Sequence, residues 1–265
     1  MKYRITHKTN YDSHESVSIG HNQAWLELRP VSWQQVDSFN LTIEPEPSVQ
    51  TRRIDSFHNP VHLFSFNEGY QRLTVTATSV VTVTDCVHHE AQLNVAWEQV
   101  VSGVRNHASA EDRDAAEFEF VSPRIFWSDD KRRYALESFV PGRSMRDALL
   151  DLTQRIHTEF AYDSRATTVN TPVDEVFRLR RGVCQDFAHL QIAMLRSLGI
   201  PARYVSGYLR TIAEEGKPRL VGADATHAWL AAYCGDGQWR DGELQLHPVG
   251  DHRQRQQGGR YRHLL

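Results

Sequence analysis

The hydrophobic pattern of this chain changes period once, and that change limits the fold more than any other feature. Over roughly the first third, apolar residues follow the two-residue alternation of half-buried strands, as in Trp25-Leu26-Glu27-Leu28-Arg29, Phe39-Asn40-Leu41-Thr42-Ile43 and Leu73-Thr74-Val75-Thr76-Ala77. From Ser144 onward they recur at helical spacing, with Met145, Leu149, Leu152, Ile156 and Phe160 on one stripe. Strands return after Pro201. The order predicts an α+β chain: an N-terminal antiparallel β-sandwich-like domain, one face wet, then a helical segment closed by antiparallel strands.

Within residues 1–85, strands are predicted at Tyr3–Tyr11, Ala24–Leu28, Phe39–Ile43, Val61–Phe66 and Leu73–Thr84, separated by turn signals such as Glu44-Pro45-Glu46-Pro47 and Asn59-Pro60. His7, His14, His21, His58 and His62 are scattered through this part and read as surface or strand residues, not ligands. Residues 86–142 are charge-rich with one bulky apolar stretch, Val121–Trp127, and read as a linker with helical, docked segments. Residues 143–239 form the second core, and 240–265 an atypical polar tail without periodicity, read as disordered.

Three helices are expected in that second core. Ser144 is an N-cap with Asp147 three residues on. Thr171-Pro172-Val173-Asp174-Glu175 supplies a cap, a proline at the first position and acids in the first turn, and Gly182 supplies the stop. The helix from Gln185 to Leu198 is apolar on most of its circumference, which predicts a central, buried position; Gly199 and Pro201 close it. Ala202–Thr211 and Ala228–Cys234 are strands about a polar turn.

Cys184 stands between Gly182 and that central helix, and His227 heads a strand-like run with Trp229 two residues on. A helix N-terminus presents unpaired N–H groups and a partial positive charge, which favour a thiolate. Most free cysteines pack as small hydrophobes; the glycine before this one, the helix after it and the His–Trp strand point instead to a thiol nucleophile and its base. The 265-residue chain has a net charge of -3, so no nucleic acid partner is expected. Cys86, Cys184 and Cys234 are far apart and in no metal-type spacing. No metal, no cofactor and a reducing compartment are expected. The first residues lack the apolar core of a signal peptide and no run would span a bilayer, so the cytoplasm is the expected address, with no membrane partner.

Three stretches carry a family resemblance: Thr171–Glu175 through Arg181-Gly182-Val183-Cys184-Gln185-Asp186-Phe187-Ala188-His189, then Gly199–Tyr208, then Asp224-Ala225-Thr226-His227-Ala228-Trp229. They resemble the core of bacterial transglutaminase-like proteins, and the β-rich first part is similar to the domain that precedes this core in many of them. The resemblance implies a papain-like α+β core with a Cys-His-Asp triad, Cys184 as nucleophile and His227 as base. The expected chemistry is attack on a carboxamide or peptide bond of a peptide or protein substrate through a thioester. Water then gives hydrolysis (protease or amidase), which is favoured, and an amine gives cross-linking. The backbone N–H of Cys184 is one candidate oxyanion donor, with Gln185 another, while Trp229 and Tyr208 line the cleft. Asp186 is expected to cap its helix and His189 to pack.

The chain departs from the family after Trp239, where the usual Pro-Thr-Asn is missing. The family acid falls four residues after the tryptophan, at Glu243; Asp241 is the alternative, shorter and in another register. A frameshift near Arg240 would explain the change of character, and a catalytically impaired binding or relic protein is the third functional expectation.

Overall fold

The computed structural model describes residues 1–84, 95–209 and 226–241, together with the backbone of 263–264. The chain divides into two compact units, with the boundary between Val87 and His88.

The first unit is all β: β1 (Lys2–Val17), β2 (Gly20–Ala24), β3 (Gln34–Glu44), β4 (Val49–Ile54), β5 (Pro60–Phe66) and β6 (Tyr70–Val83). They form two antiparallel three-stranded sheets, ordered β1-β6-β3 and β2-β5-β4. The alternation in the sequence is honoured most clearly on β6, where Leu73, Val75, Ala77, Ser79, Val81 and Val83 are buried. Leu73 and Val75 meet Phe64 and Phe66 of the other sheet in one apolar cluster. A sandwich results because each sheet has one face that must leave water.

One expectation fails here, and one strand was not expected. Only Ala24 of the predicted strand Ala24–Leu28 lies in β2; Trp25 and Glu27 leave the sheet to bond elsewhere. Trp25 Nε1 donates to Asp55 at 3.1 Å, and Glu27 accepts from Arg52 at 2.8 Å and faces His62 Nε2 at 2.8 Å. Strand β4 carried no sequence signal, because every one of its residues is exposed and it has no apolar face to read.

The second unit contains α1 (Trp97–Asn106), α2 (Ala110–Ala116), α3 (Asp129–Leu136), α4 (Met145–Glu159), β7 (Ala161–Tyr162), α5 (Val173–Leu179), β8 (Arg181–Gly182), α6 (Cys184–Ser197), β9 (Ala202–Leu209), β10 (Thr226–Tyr233), β11 (Trp239–Asp241) and β12 (His263–Leu264). The larger sheet runs β11-β10-β9-β12, and β7 pairs with β8 in parallel. Ser144 caps α4 as expected, its hydroxyl accepting from Asp147 N at 3.1 Å. Helix α6 is buried along nearly its whole length and packs against β9 and β10.

The segment read as a docked linker holds three helices that share the core of this unit. Val100 and Val104 of α1, Ala115 of α2 and Tyr134 of α3 join Leu149, Leu152 and Ile156 of α4, Leu190 and Met194 of α6, and Leu230 of β10. Helical, docked segments were expected here without bounds, because charged residues dominate the pattern of α2 and α3. Of the tail read as disordered, Arg240 and Asp241 belong to β11 and His263–Leu264 to β12; residues 242–262 lie outside the described residues.

A buried polar link ties α2 to the sheet. The Tyr233 hydroxyl donates to Asp112 Oδ1 at 2.8 Å and accepts from Gly237 N at 3.0 Å. Tyr233→Phe would leave a buried carboxylate and a backbone N–H each short of a partner. We expect a loss of about 1–3 kcal/mol, read in urea as a lower midpoint with an unchanged slope.

Candidate active site

The entry into α6 is held by one buried carboxylate. Asp186, only 3% exposed, accepts from Val183 N at 2.9 Å and from the Thr167 hydroxyl at 2.6 Å through Oδ2. It sits at the third position of the helix, where it satisfies a terminal N–H and complements the helix dipole. Its capping role is as expected. The glycine two residues before Cys184 has a different task from the one expected of it. A Cβ on Gly182 would lie 2.7 Å from Asp186 Oδ2 and 2.9 Å from its Cβ, so only glycine admits the carboxylate. The stop of α5 is Arg180 instead, in the left-handed region with φ 52°. Its guanidinium lies 4.5 Å from the Phe160 and Phe177 ring centres and 5.0 Å from that of Tyr134, an aromatic setting that holds this conformation. The helix cap of α5 is likewise displaced by one residue: Pro172 is the N-cap, and the Thr171 hydroxyl accepts from Thr168 N at 2.9 Å.

Between these anchors the chain is clamped to its neighbour. Ala161 N donates to Arg180 O at 2.8 Å and Asp163 N to Gly182 O at 2.9 Å, which sets Tyr162 beside Gly182. Cys184, the first residue of α6, is partly exposed, and Gln185 follows it, also partly exposed. Two tyrosines are coupled to the cysteine. Burial raises the Tyr162 hydroxyl, and the nearby Cys184 adds to the shift. Burial pushes Tyr204 up to about 12, reinforced by Cys184 and Asp186 and opposed by Arg124. Tyr204 packs its ring on His189 of α6, centroids 4.9 Å apart. Burial lowers His189, as does Arg124, so it is a neutral packing partner and not a cation near the thiol. Tyr162 and Tyr204 lie within electrostatic reach of Cys184, and Arg124 within that of Tyr204 and His189; no spacing in the sequence announces them.

His227 is the second residue of β10, opposite Gly207 of β9; Trp229 lies opposite Val205 and is buried. Strand alternation puts His227 and Trp229 on one face, as expected, and Leu230 and Ala232 on the other, where they join the core around α6. Gly207 has no side chain to crowd the imidazole from the neighbouring strand. Burial pushes Tyr208, opposite Thr226, up to about 12. Asp241 shares the His227 face but pairs with Ala231, four residues along β10. At ~3.3 Å per residue that is roughly 13 Å along the strand. Glu243 lies outside the described residues. Trp239 is a packing centre: Arg203 lies 4.2 Å over its ring, and Phe118 and Tyr233 pack against it at 5.2 and 5.4 Å.

The two described cysteines differ in setting. Cys234 follows β10, is buried, and burial pushes its thiol up to about 12. Iodoacetamide at neutral pH is expected to alkylate Cys184 in the native protein well before Cys234, as read by peptide mass mapping. Gly182→Ala is expected to displace Asp186 and lower stability by about 1–3 kcal/mol, through loss of the bonds to Val183 and Thr167. A urea midpoint equal to the wild type would show that the contact can relax.

Comparison with known proteins places this arrangement. Residues 133–242 match the sequence profile of the transglutaminase-like superfamily, and residues 3–82 that of the bacterial transglutaminase-like N-terminal region. An uncharacterized protein of Mycobacterium tuberculosis is 36% identical over 255 residues, covering 94% of this chain and 79% of its own. Another, from Mycobacterium leprae, is 29% identical over 240 residues, covering 90% and 81%. The crystal structure of a candidate cysteine protease from Cytophaga hutchinsonii superposes with a TM-score of 0.69 at 24% identity, covering 91% of this chain and 75% of that one. That likeness is one of fold, and it extends over both units' sequence. With both profiles matched and a relative alike over nearly the full chain, the protein belongs to the transglutaminase-like superfamily, with the bacterial N-terminal β domain ahead of the core.

Proposed function

We propose that the protein is a cysteine hydrolase that opens a carboxamide or peptide bond of a peptide or protein through a thioester on Cys184. The observation that carries this reading is the placement of Cys184 at the first turn of α6, packed on the strand pair that bears His227. The Cys184 sulfur attacks the carbonyl carbon, and the oxyanion forms near the helix terminus, where the Cys184 N–H and Gln185 are the nearest candidate donors. His227 takes the thiol proton and returns it to the leaving nitrogen, which departs as ammonia or an amine. Water then attacks the thioester with His227 again as base, releasing the acid and the thiol. Trp229 screens the imidazole on its own face of β10, and Tyr208 lines the approach. Glu243 is the proposed orienting acid, and Asp241 the lesser candidate because its register sets it along the strand from His227.

The decisive assay follows ammonia release and product mass on glutamine-containing peptides, with and without a primary amine. Wild type is expected to form the acid even with amine present; amine incorporation would make it a transglutaminase. Cys184→Ala should abolish turnover, and His227→Ala should lower it about 10²–10⁴-fold. Turnover unchanged in Cys184→Ala would end the reading. Silent wild type with retained peptide binding would favour the impaired, binding-only alternative. A rate unchanged in both Glu243→Gln and Asp241→Asn would leave a dyad without an orienting acid.

A further inference from the structure

The N-terminal unit contains a cavity of about 490 Å³ between its two sheets. That size falls within the ~300–1,000 Å³ of small-molecule pockets. His7, Thr9 and Tyr11 of β1 and Leu73 and Val75 of β6 form one wall; Asn22 and Ala24 of β2 and Phe64 of β5 form the other. Strands β1 and β2 are both sheet edges, and β3 and β4 contribute nothing to the walls, so the cavity lies toward the β1 and β2 side of the sandwich. A sandwich filled by its own side chains leaves no such space.

The chemistry of the walls is selective. Asn22 and Gln71 offer amides, and Thr9 and Ser13 offer hydroxyls. None of the lining residues is a lysine or arginine, so nothing there neutralises an anionic ligand. The single carboxylate, Asp12, is paired with Arg72 at 2.7 Å, so it does not call for a cation. Burial lowers the His7 imidazole and keeps it neutral, and the ring shares a hydrogen bond with Thr9 Oγ1 at 3.0 Å. Two aromatic rings stand open at the rim, Tyr11 at 59% and Trp25 at 55% exposure. Trp25 is held in place by its bond to Asp55, so its face is available in advance of any ligand.

One atom points to a missing partner. Asn22 Nδ2 is buried and makes no hydrogen bond among the described residues. A buried donor left in this state is costly, and an acceptor from a ligand would offset that cost. Neutral donors and acceptors in the walls, open aromatic faces at the rim and an unmet amide N–H are what a sugar uses: hydroxyls for the amides and an apolar C–H face for the rings.

We propose that the cavity of the N-terminal β unit binds a neutral saccharide, stacked on Trp25 and Tyr11 and hydrogen-bonded by Asn22 and Gln71. The proposal is independent of the Cys184 chemistry. It is tested by calorimetric titration of the full chain with cellotriose, maltotriose and tri-N-acetylchitotriose, and with a neutral glycine–serine hexapeptide. At least one trisaccharide is expected to saturate the wild type. Trp25→Ala and Gln71→Ala, both at exposed positions, should each weaken it by roughly tenfold or more. Asn22→Leu should abolish it without lowering the melting temperature, since it removes a buried donor that the free protein leaves unmet. Circular dichroism verifies the fold of each variant. The proposal is overturned if no trisaccharide saturates at millimolar concentration, if the hexapeptide binds where no sugar does, or if sugar binding survives all three substitutions.

Discussion

The second unit depends on the carboxylate of Asp186. Its Oδ2 bonds to Val183 N and to Thr167, and it occupies space that a side chain at position 182 would fill. Three positions are thereby set at once: the glycine that leaves room, the residue whose N–H is capped and the acid that caps it. Cys184 lies inside that loop of constraint, so its place at the helix tip follows from the bonds around it. A buried carboxylate is costly unless its oxygens are satisfied, and once they are the arrangement resists change. The left-handed turn at Arg180 and the parallel pair β7–β8 hold the approach from the other side.

Helix α6 carries this local order into the rest of the unit. Phe187, Leu190, Ile192, Met194 and Leu195 are buried on several sides, so helices and strands must close around it. Apolar packing alone does not choose among similar closures; buried polar pairs do. Gln191 Nε2 donates to the Thr153 hydroxyl at 2.6 Å and links α6 to α4. The Lys131 ammonium, almost wholly buried, joins Asp174 and so links α3 to α5. Tyr233 and Asp112 link the sheet to α2. These contacts explain why residues 95–142 are part of the core that holds the candidate site.

The two cysteines illustrate how setting, not residue type, decides chemistry. Cys184 is at a helix start, partly exposed, with Tyr162 and Tyr204 in its field. Cys234 is enclosed, and its thiol is pushed up by burial. In the N-terminal unit the same principle separates the histidines. His62 is buried against Glu27, whose carboxyl Arg52 holds below the ordinary range, and His7 faces the cavity.

Period and punctuation in the sequence were enough for the α+β order, the sandwich-like first part, the Ser144 cap and the buried helix beginning at Cys184. Each rests on interactions between residues a few positions apart, which a linear pattern records. The strand β4 was invisible because a fully exposed edge strand has no apolar alternation, and in 86–142 helical, docked segments were expected without bounds, which the charged faces of α2 and α3 obscure. The true stop of α5 escaped because a left-handed arginine is held by Tyr134, Phe160 and Phe177, which come from three separate elements. Cys184, His227 and Trp229 could be named in advance, since their neighbours in sequence mark them. The surroundings of the thiol, and the register that sets Asp241 opposite Ala231, could not. Sequence determined which residues start helices and which alternate, because those are local free energies. Only the tertiary structure decided which distant side chains meet, because that depends on how the buried faces close together.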